Sequence, residues 1–406
     1  WVPTQWEELE ELPVTRNGKL DRSRLLAPGD AARREADYEA PAGEVESLLS
    51  EVWAEVLGLE RVGRGENFFS LGGDSIQSLQ VVTKVRRRGW RITPKDIFER
   101  PTVADLACVA VSWSGGEDRG RAEGEGPLLP IQEWFFEQEP VDRDHWNQGF
   151  MFRVEAGLEV GHLSAAIERL VEQHDALRLR FFRDAQGRMR QRYAGEETGA
   201  GLVEEIETDG SRESIEAYAG EVQRRLNIET GPVMRVALLR CGESDRLLVT
   251  AHHLVVDGVS WRILLEDLQR LLVEGLEVDL GGKTTSYVRW AEHLSSYAGS
   301  MELEDELAYW EDRPEFVLPR DGDGPNTVAD AVSVEEVFGA EETALLLGSV
   351  ADTYRASLDE LLLTASAAAL SRHAGGGTVL LELEGHGREE ITPEVDLTRT
   401  VGWFTT

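Results

Sequence analysis

Three short clusters bring together residues able to do chemistry. In "FFSLGGDSIQSLQVV" (Phe68–Val82), Ser75 follows Gly72, Gly73 and Asp74 and opens a run with helical apolar spacing. In "DRLLVTAHHLVVDGVS" the adjacent His252 and His253 end an apolar run and are followed by Asp257 and Gly258. In "LELEGHGREE" Glu384 and His386 lie among glycines. Each cluster supports two readings. Asp74 or Ser75 caps the orphan amides of the helix that follows, or Ser75 is a covalent attachment point. The histidines transfer protons, for which an imidazole titrating near ~6.5 is suited at neutral pH, or they are a pair satisfied by backbone hydrogen bonds. Glu384 is a general base in a cleft or a loop surface residue. Metal binding is disfavoured, because His252, His253 and Asp257 lack a further ligand at fixed spacing and adjacent histidines seldom reach one ion. A nucleophilic triad is disfavoured too: there is no GxSxG elbow, and Ser75 lies far along the chain from the histidines.

The elements that must position these residues can be read from periodicity. Residues 1–28 alternate apolar residues around "TRNGKLDR", where Asn17-Gly18 signals a hairpin, but they are too few to fold alone. From Tyr38 to Val111 a helical unit is expected: Val45, Leu48, Leu49, Val52, Trp53 and Val56 recur at helical spacing, the Ser75 helix follows, and Thr93-Pro94 and Pro101-Thr102 open two short helices. "SWSGGEDRGRAEGEG" (112–126) reads as a flexible tether between two bodies. Beyond it strands and helices alternate. "LSAAIERLVEQHDALRLRF" reads as a helix entering a strand, and "DRLLVTAHH" as a buried strand. The next helix is capped by Asp257 or Ser260, aligns Trp261, Leu264, Leu265, Leu268, Leu271 and Leu272 on one face, and stops at Gly275. Thr378–Leu383 reads as a further strand, so that both the histidine loop and the Glu384 loop sit at strand C-terminal ends.

With 76 acidic against 42 basic residues and a formal charge of −34, the surface repels phosphate backbones and anionic lipid, so neither nucleic acid nor membrane is an expected partner. The basic run "KVRRRGW" (84–90) reads as a solvated helix end. Cys108 and Cys241 are distant and lie among apolar residues, which suggests a reducing, cytoplasmic setting. The chain contains neither a long apolar span nor a leader, and it opens on Trp1 like a segment of a longer polypeptide.

Together the motifs resemble a piece of a nonribosomal peptide synthetase. "PVTRNGKLDR" (Pro13–Arg22) resembles the last motif of an adenylation domain, and "FFSLGGDSIQSLQ" the phosphopantetheine site of a peptidyl carrier protein. "HHLVVDG" resembles the condensation-like superfamily. Within it, "PIQEWFF", "HHLVVDGVSWRILLEDL", "LEGHGREE" and "DLTRTVGWFT" resemble epimerization domains, as does Asp74 where elongation carriers have His. The resemblance covers nearly the whole chain, in the family's order.

It implies a multidomain chain: an adenylation-domain remnant (1–28), a linker (29–40), a small four-helix carrier bundle (41–111), a tether (112–126) and a two-lobed α/β chloramphenicol-acetyltransferase-like epimerization domain (127–406), whose second lobe is expected to be incomplete. Ser75 would carry the 4'-phosphopantetheine arm while still capping its helix. His253 and Glu384 would be the two catalytic bases that invert Cα of an aminoacyl or peptidyl thioester from L to D, without metal or pyridoxal phosphate. His252 would be structural, Asp257 would fix the loop through an arginine, and Gly258 would let the backbone turn tightly. Lys19 would have no adenylation site here to serve, and a tyrosine that the family places downstream has no assignable position. The implied partners are a phosphopantetheinyl transferase, an upstream adenylation domain and a downstream condensation domain. Two other readings are a condensation domain, which uses the same "HHxxxDG" loop but needs no second base such as Glu384, and a carrier beside a catalytically inert docking domain.

Overall fold

The apolar stripe that begins at Val45 folds as α1 (Gly43–Leu57), with Leu49, Val52 and Trp53 fully buried. In the computed structural model, residues 38–113, 120–154, 157–195, 199–242, 244–300, 303–311, 316–320, 322–324, 327–354, 356–388, 391 and 395–406 are described. Residues 1–28, with Asn17-Gly18 and Lys19, and most of 29–40 lie outside them. Against α1 pack α2 (Ser75–Arg87) and α4 (Val103–Ala107), while α3 (Pro94–Glu99) packs on α2 and joins the same core through Ile97. Thr93 and Thr102 cap the two short helices by accepting the backbone N–H groups of Asp96 and Asp105, and Pro94 sits in the first turn, where no intrahelical donor is required. Trp53 meets Phe68 edge-on at 4.9 Å between ring centres, which ties α1 to the loop before Ser75.

The tether expected over 112–126 is shorter than its composition suggests. Val111–Ser112 (β2) pairs antiparallel with Trp90–Arg91 (β1), and Glu125–Gly126 (β3) pairs with Arg192 and Gln191, so both ends of the segment are held in ladders; residues 114–119 lie outside the described set. Backbone hydrogen bonding is open to any sequence, which is why a polar, glycine-rich stretch can still supply strand ends.

The larger body is built on a four-stranded sheet ordered β4-β9-β8-β7. Its strands are β4 (Asn147–Val154), β7 (Val203–Glu207), β8 (Met234–Arg240) and β9 (Asp245–His252). A three-stranded sheet, β3-β6-β5, holds β5 (Leu179–Arg183) and β6 (Met189–Tyr193). Pro130–Glu137 (α5), Val160–Gln173 (α6) and Arg212–Gln223 (α7) precede the long helix Gly258–Val273 (α8), which is followed by Tyr287–Ala298 (α9). Alternation along β8 and β9 explains the layers. Val236, Leu238, Leu247 and Val249 join the main core with α6 and α8, whereas Ala237, Leu239 and Leu248 face Val222 of α7. A strand buried on both faces reads as a continuous apolar run, as "LLVTA" does. The expected stripe on α8 is present, with Trp261, Leu264, Leu268 and Leu271 buried at roughly 1.5–3 kcal/mol each. Residues 395–404 return to this core through Val395, Leu397, Val401, Trp403 and Phe404.

The basic run at the end of α2 is not a solvated end throughout. Lys84 and Arg88 pair with Glu55 and Glu51 of α1, but Arg86 is buried beside Asp396 and Arg87 reaches Glu266 of α8 at 3.1 Å. Leu79 is buried in the body's core cluster, with Ile76 packed against it. The face of α2 that carries Ile76, Leu79 and Arg86 lies on the body, and that contact takes Arg86 out of solvent while Arg87 stays exposed.

Residues 296–385 form a second compact unit, separate from the one that holds the elements above as far as Ser295 together with residues 386–406. Among its described residues the longest helix is Leu358–His373 (α10), opened by a capping box between Ser357 and Glu360. The strand expected at Thr378–Leu383 is absent. That stretch has no ladder partner among the described residues, and Leu383 is exposed. A strand exists through its neighbour, so an apolar run alone does not make one. The Glu384 loop therefore does not follow a strand.

Candidate active site and carrier serine

The carrier serine is placed by the loop before it. Asp74 is the N-cap of α2: its Oδ1 accepts the Gln77 N–H at 2.6 Å, while the Gln77 Oε1 accepts the Asp74 N–H at 3.1 Å. Ser75 is thus the first helical residue and not the cap, which corrects the dual role expected for it. Its side chain is free of the task of holding the helix end, and it is half-buried beside exposed Gly72 and Asp74. Gly73 is required by packing, since a Cβ there would lie 2.4 Å from the Phe68 ring. The loop is drawn onto that buried ring, and the hydroxyl stands at its rim.

The histidine turn forms where β9 ends. His252 is buried. Its Nε2–H donates to the Arg143 carbonyl at 2.8 Å, and its Nδ1 accepts the Leu254 N–H at 3.1 Å. Burial pushes this imidazole down to about 4, against the raising effect of the Arg143 carbonyl, so the ring is neutral and fully engaged. His253 is half-buried and differently placed. Its Nδ1 lies 2.9 Å from the Val256 carbonyl, an obligate acceptor, so Nδ1 carries the proton. Nε2 lies 2.8 Å from the Gln148 amide of β4, and the ring tilts against Trp403 at 4.3 Å between centres.

Asp257 caps α8 by accepting the Ser260 N–H at 2.7 Å. The arginine that reaches it is Arg388, through Nη1 at 2.7 Å and Nη2 at 3.0 Å. Arg388 is fully buried, also donates to the Ser260 Oγ, and lies over the Phe404 ring at 4.0 Å. Asp257 further accepts the Phe404 N–H at 3.1 Å. Burial opposes its charge, yet the Arg388 charge and these hydrogen bonds together hold the carboxyl below its ordinary range. Gly387, at φ +62°, lets this turn approach residue 404 so closely that a Cβ would collide with the Phe404 carbonyl. The pair therefore clamps residues 386–388 and 402–404 onto the start of α8, and Tyr287 adds a hydrogen bond from its hydroxyl to the Trp403 carbonyl. His386 turns back on this loop, accepting the Arg388 N–H on Nδ1 at 3.0 Å.

Gly258 does not make the tight turn expected of it. It is the first residue of α8, without a positive φ, and an added Cβ would meet nothing within 4 Å. The turn is made by the residues before it, and Gly258 leaves the exposed helix start uncovered. Glu384 is exposed and belongs to the second unit. His252, His253, Asp257 and Gly258 are thus gathered in one unit, beside Trp261 from the expected face of α8 and with Gln148, Arg388 and Trp403 as neighbours to which sequence reading gave no role by number. For Gln148 the available signal was a polar residue just before the apolar run "FMF" of "HWNQGFMF". Among the described residues no group of three or more His, Cys, Asp or Glu is placed to hold a metal ion, and no helix is long and apolar enough to cross a membrane.

A sheet-and-helix body with a buried "HHxxxDG" turn, joined to a helical carrier, defines the condensation type of domain. The condensation-domain family matches residues 122–406, and the phosphopantetheine attachment site family matches residues 47–107. The chain belongs to the condensation-domain family, and its carrier takes 4'-phosphopantetheine covalently. Among relatives, it is 38% identical over its whole length both to tyrocidine synthase 2 of Brevibacillus parabrevis and to surfactin synthase subunit 1 of Bacillus subtilis (strain 168). It spans only 12% of either protein. Among solved structures, the epimerization domain from the third module of tyrocidine synthetase B matches with 36% identity and a TM-score of 0.62, over 72% of this chain and 67% of that one. The first condensation domain of the calcium-dependent antibiotic synthetase shares the fold at 23% identity and a TM-score of 0.53, over 70% of this chain and 68% of that one.

Proposed function

We propose that the chain inverts Cα of an aminoacyl or peptidyl thioester held on its own carrier, as an epimerization domain on a two-lobed chloramphenicol-acetyltransferase-like scaffold. The observation that carries this reading over peptide-bond formation is the 36% identity to the tyrocidine synthetase epimerization domain, against 23% to the condensation domain above. Ser75 is the attachment residue. A thioester on the arm acidifies the Cα proton, which a neutral imidazole can then remove. His253 is the base on one face: with Nδ1–H committed to the Val256 carbonyl, its Nε2 is the ring's basic atom. Glu384 is the second acid–base group, a role that rests on the resemblance of its "LEGHGREE" motif to epimerization domains. Asp257 and Arg388 hold the turn and transfer no proton, and His252 anchors it. Residues 1–28 are read as the end of an adenylation domain, which would act upstream, with a condensation domain consuming the product and a phosphopantetheinyl transferase modifying Ser75.

The test is chiral analysis of the residue released from Ser75 in the synthetase module that contains this chain. Inversion should fall by roughly 10²–10⁴-fold in both His253→Ala and Glu384→Gln, with loading of Ser75 unchanged. A released residue that stays L in the unmodified module, together with joined product in mass spectra, would establish the condensation reading instead. Near-normal inversion in Glu384→Gln would remove that residue from the mechanism.

A further inference from the structure

We infer that Gln148 is a positioning residue for this reaction: its amide, fixed in orientation by the Trp261 indole, donates to the His253 Nε2 and so fixes the tautomer in which Nε2 is the site that receives the proton. The inference rests on the reading of His253 as base. Its premises are three hydrogen bonds whose directions follow from chemistry. The Trp261 Nε1–H can only donate, and it lies 2.9 Å from the Gln148 Oε1. The amide is thereby oriented so that its NH₂ faces the His253 Nε2 at 2.8 Å. The Val256 carbonyl can only accept, so the ring proton is on Nδ1 and Nε2 must accept from Gln148. The three contacts agree on a single protonation state.

That arrangement discriminates between the two charge states of the ring. A hydrogen bond that only the neutral form can accept disfavours the protonated form. After Nε2 takes a proton, two donors face each other, and the amide can present its oxygen only by giving up the indole N–H. Trp261 resists such a turn, being buried and packed edge-on against Phe150 at 5.1 Å. Gln148 thus keeps the base ready at rest and favours release of the proton after transfer. The titratable groups on this turn are His252, neutral and donating to the Arg143 carbonyl, and Asp257, paired with Arg388; His145, beside Asn147 at the start of β4, and His386, on the Arg388 N–H, are the further imidazoles nearby. β4 presents Gln148 here because Gln148 pairs with Ala251 in register, next to the end of β9.

The test replaces Gln148 by a carboxylate of the same length. In the full chain carrying Gln148→Glu, one oxygen can still accept the indole N–H while the other favours a protonated His253. The ring's titration midpoint, followed by NMR of labelled histidine and assigned by loss of the signal in His253→Ala, should rise by about one unit or more. The acid limb of the inversion rate should move to higher pH by the same amount. Trp261→Phe, which keeps the ring packing and removes the donor, should raise the midpoint by less, because the freed amide can turn. A merely structural role would lower the rate at every pH and leave both midpoint and limb in place. An unmoved NMR midpoint in Gln148→Glu overturns the inference. A midpoint that moves while the pH–rate profile does not overturns His253 as the base, and with it any part for Gln148 in the reaction.

Discussion

Replacing Arg388 by methionine should reveal how much the clamp beneath the histidine turn contributes. Both partners of the Asp257–Arg388 pair are out of solvent, with side-chain exposures of 5% and 0%, and the fork-to-fork contact spans 2.7 and 3.0 Å. Methionine fills much of the arginine's volume but leaves the carboxylate with only the Ser260 and Phe404 N–H groups. Stranding one charge of a buried pair costs about 3–5 kcal/mol, or roughly a hundred- to several-thousand-fold in the folding equilibrium. The pH dependence should also reverse. In the unmodified chain Asp257 is held below its ordinary range, so its contribution is present in full above the unfolded value near ~3.9 and is lost as pH falls through the folded value. Without Arg388 only burial and two hydrogen bonds act, and the folded value moves above the unfolded one. The variant's deficit should then be greatest at neutral pH and shrink on acidification. Urea denaturation followed by tryptophan fluorescence at pH 7 and pH 5 measures both effects. Asp257→Asn added to Arg388→Met should recover part of the loss, since the amide still caps α8 and leaves no buried charge. A deficit below about 1 kcal/mol, or one that grows as the pH is lowered, would refute the assignment of the clamp.

Two further predictions concern the carrier. Ser75→Ala should abolish the mass gain with coenzyme A and a phosphopantetheinyl transferase while changing stability by less than about 0.5 kcal/mol, because Asp74 and not Ser75 caps α2; retained mass gain would sink the attachment site. Gly73→Ala should destabilise the carrier by about 1–3 kcal/mol, since its Cβ would stand 2.4 Å from the buried Phe68 ring. Hydrogen exchange across α2 reads this, and unchanged protection would show that the loop moves aside without cost.

What the sequence determined by itself was local or periodic. The helices of the carrier, the stripe on α8 and the caps at Thr93, Thr102 and Asp257 depend on neighbours within a few positions, so their signals survive in one dimension. The motifs around Ser75 and His253 were legible for the same reason, as was the family. The tertiary structure decided whatever needed a partner distant in the chain. Thr378–Leu383 has strand composition but no ladder partner among the described residues, and the ends of the supposed tether found partners that composition could not announce. Arg86 left solvent because a second surface met α2. Gln148 and Arg388 stand 105 and 131 residues from His253 and Asp257, and become their neighbours only when β4 pairs with β9 and Arg388 meets the start of α8. The reactive residues are chemical types that can be read off a string, whereas the groups that set their protonation and geometry are brought to them by pairing and burial.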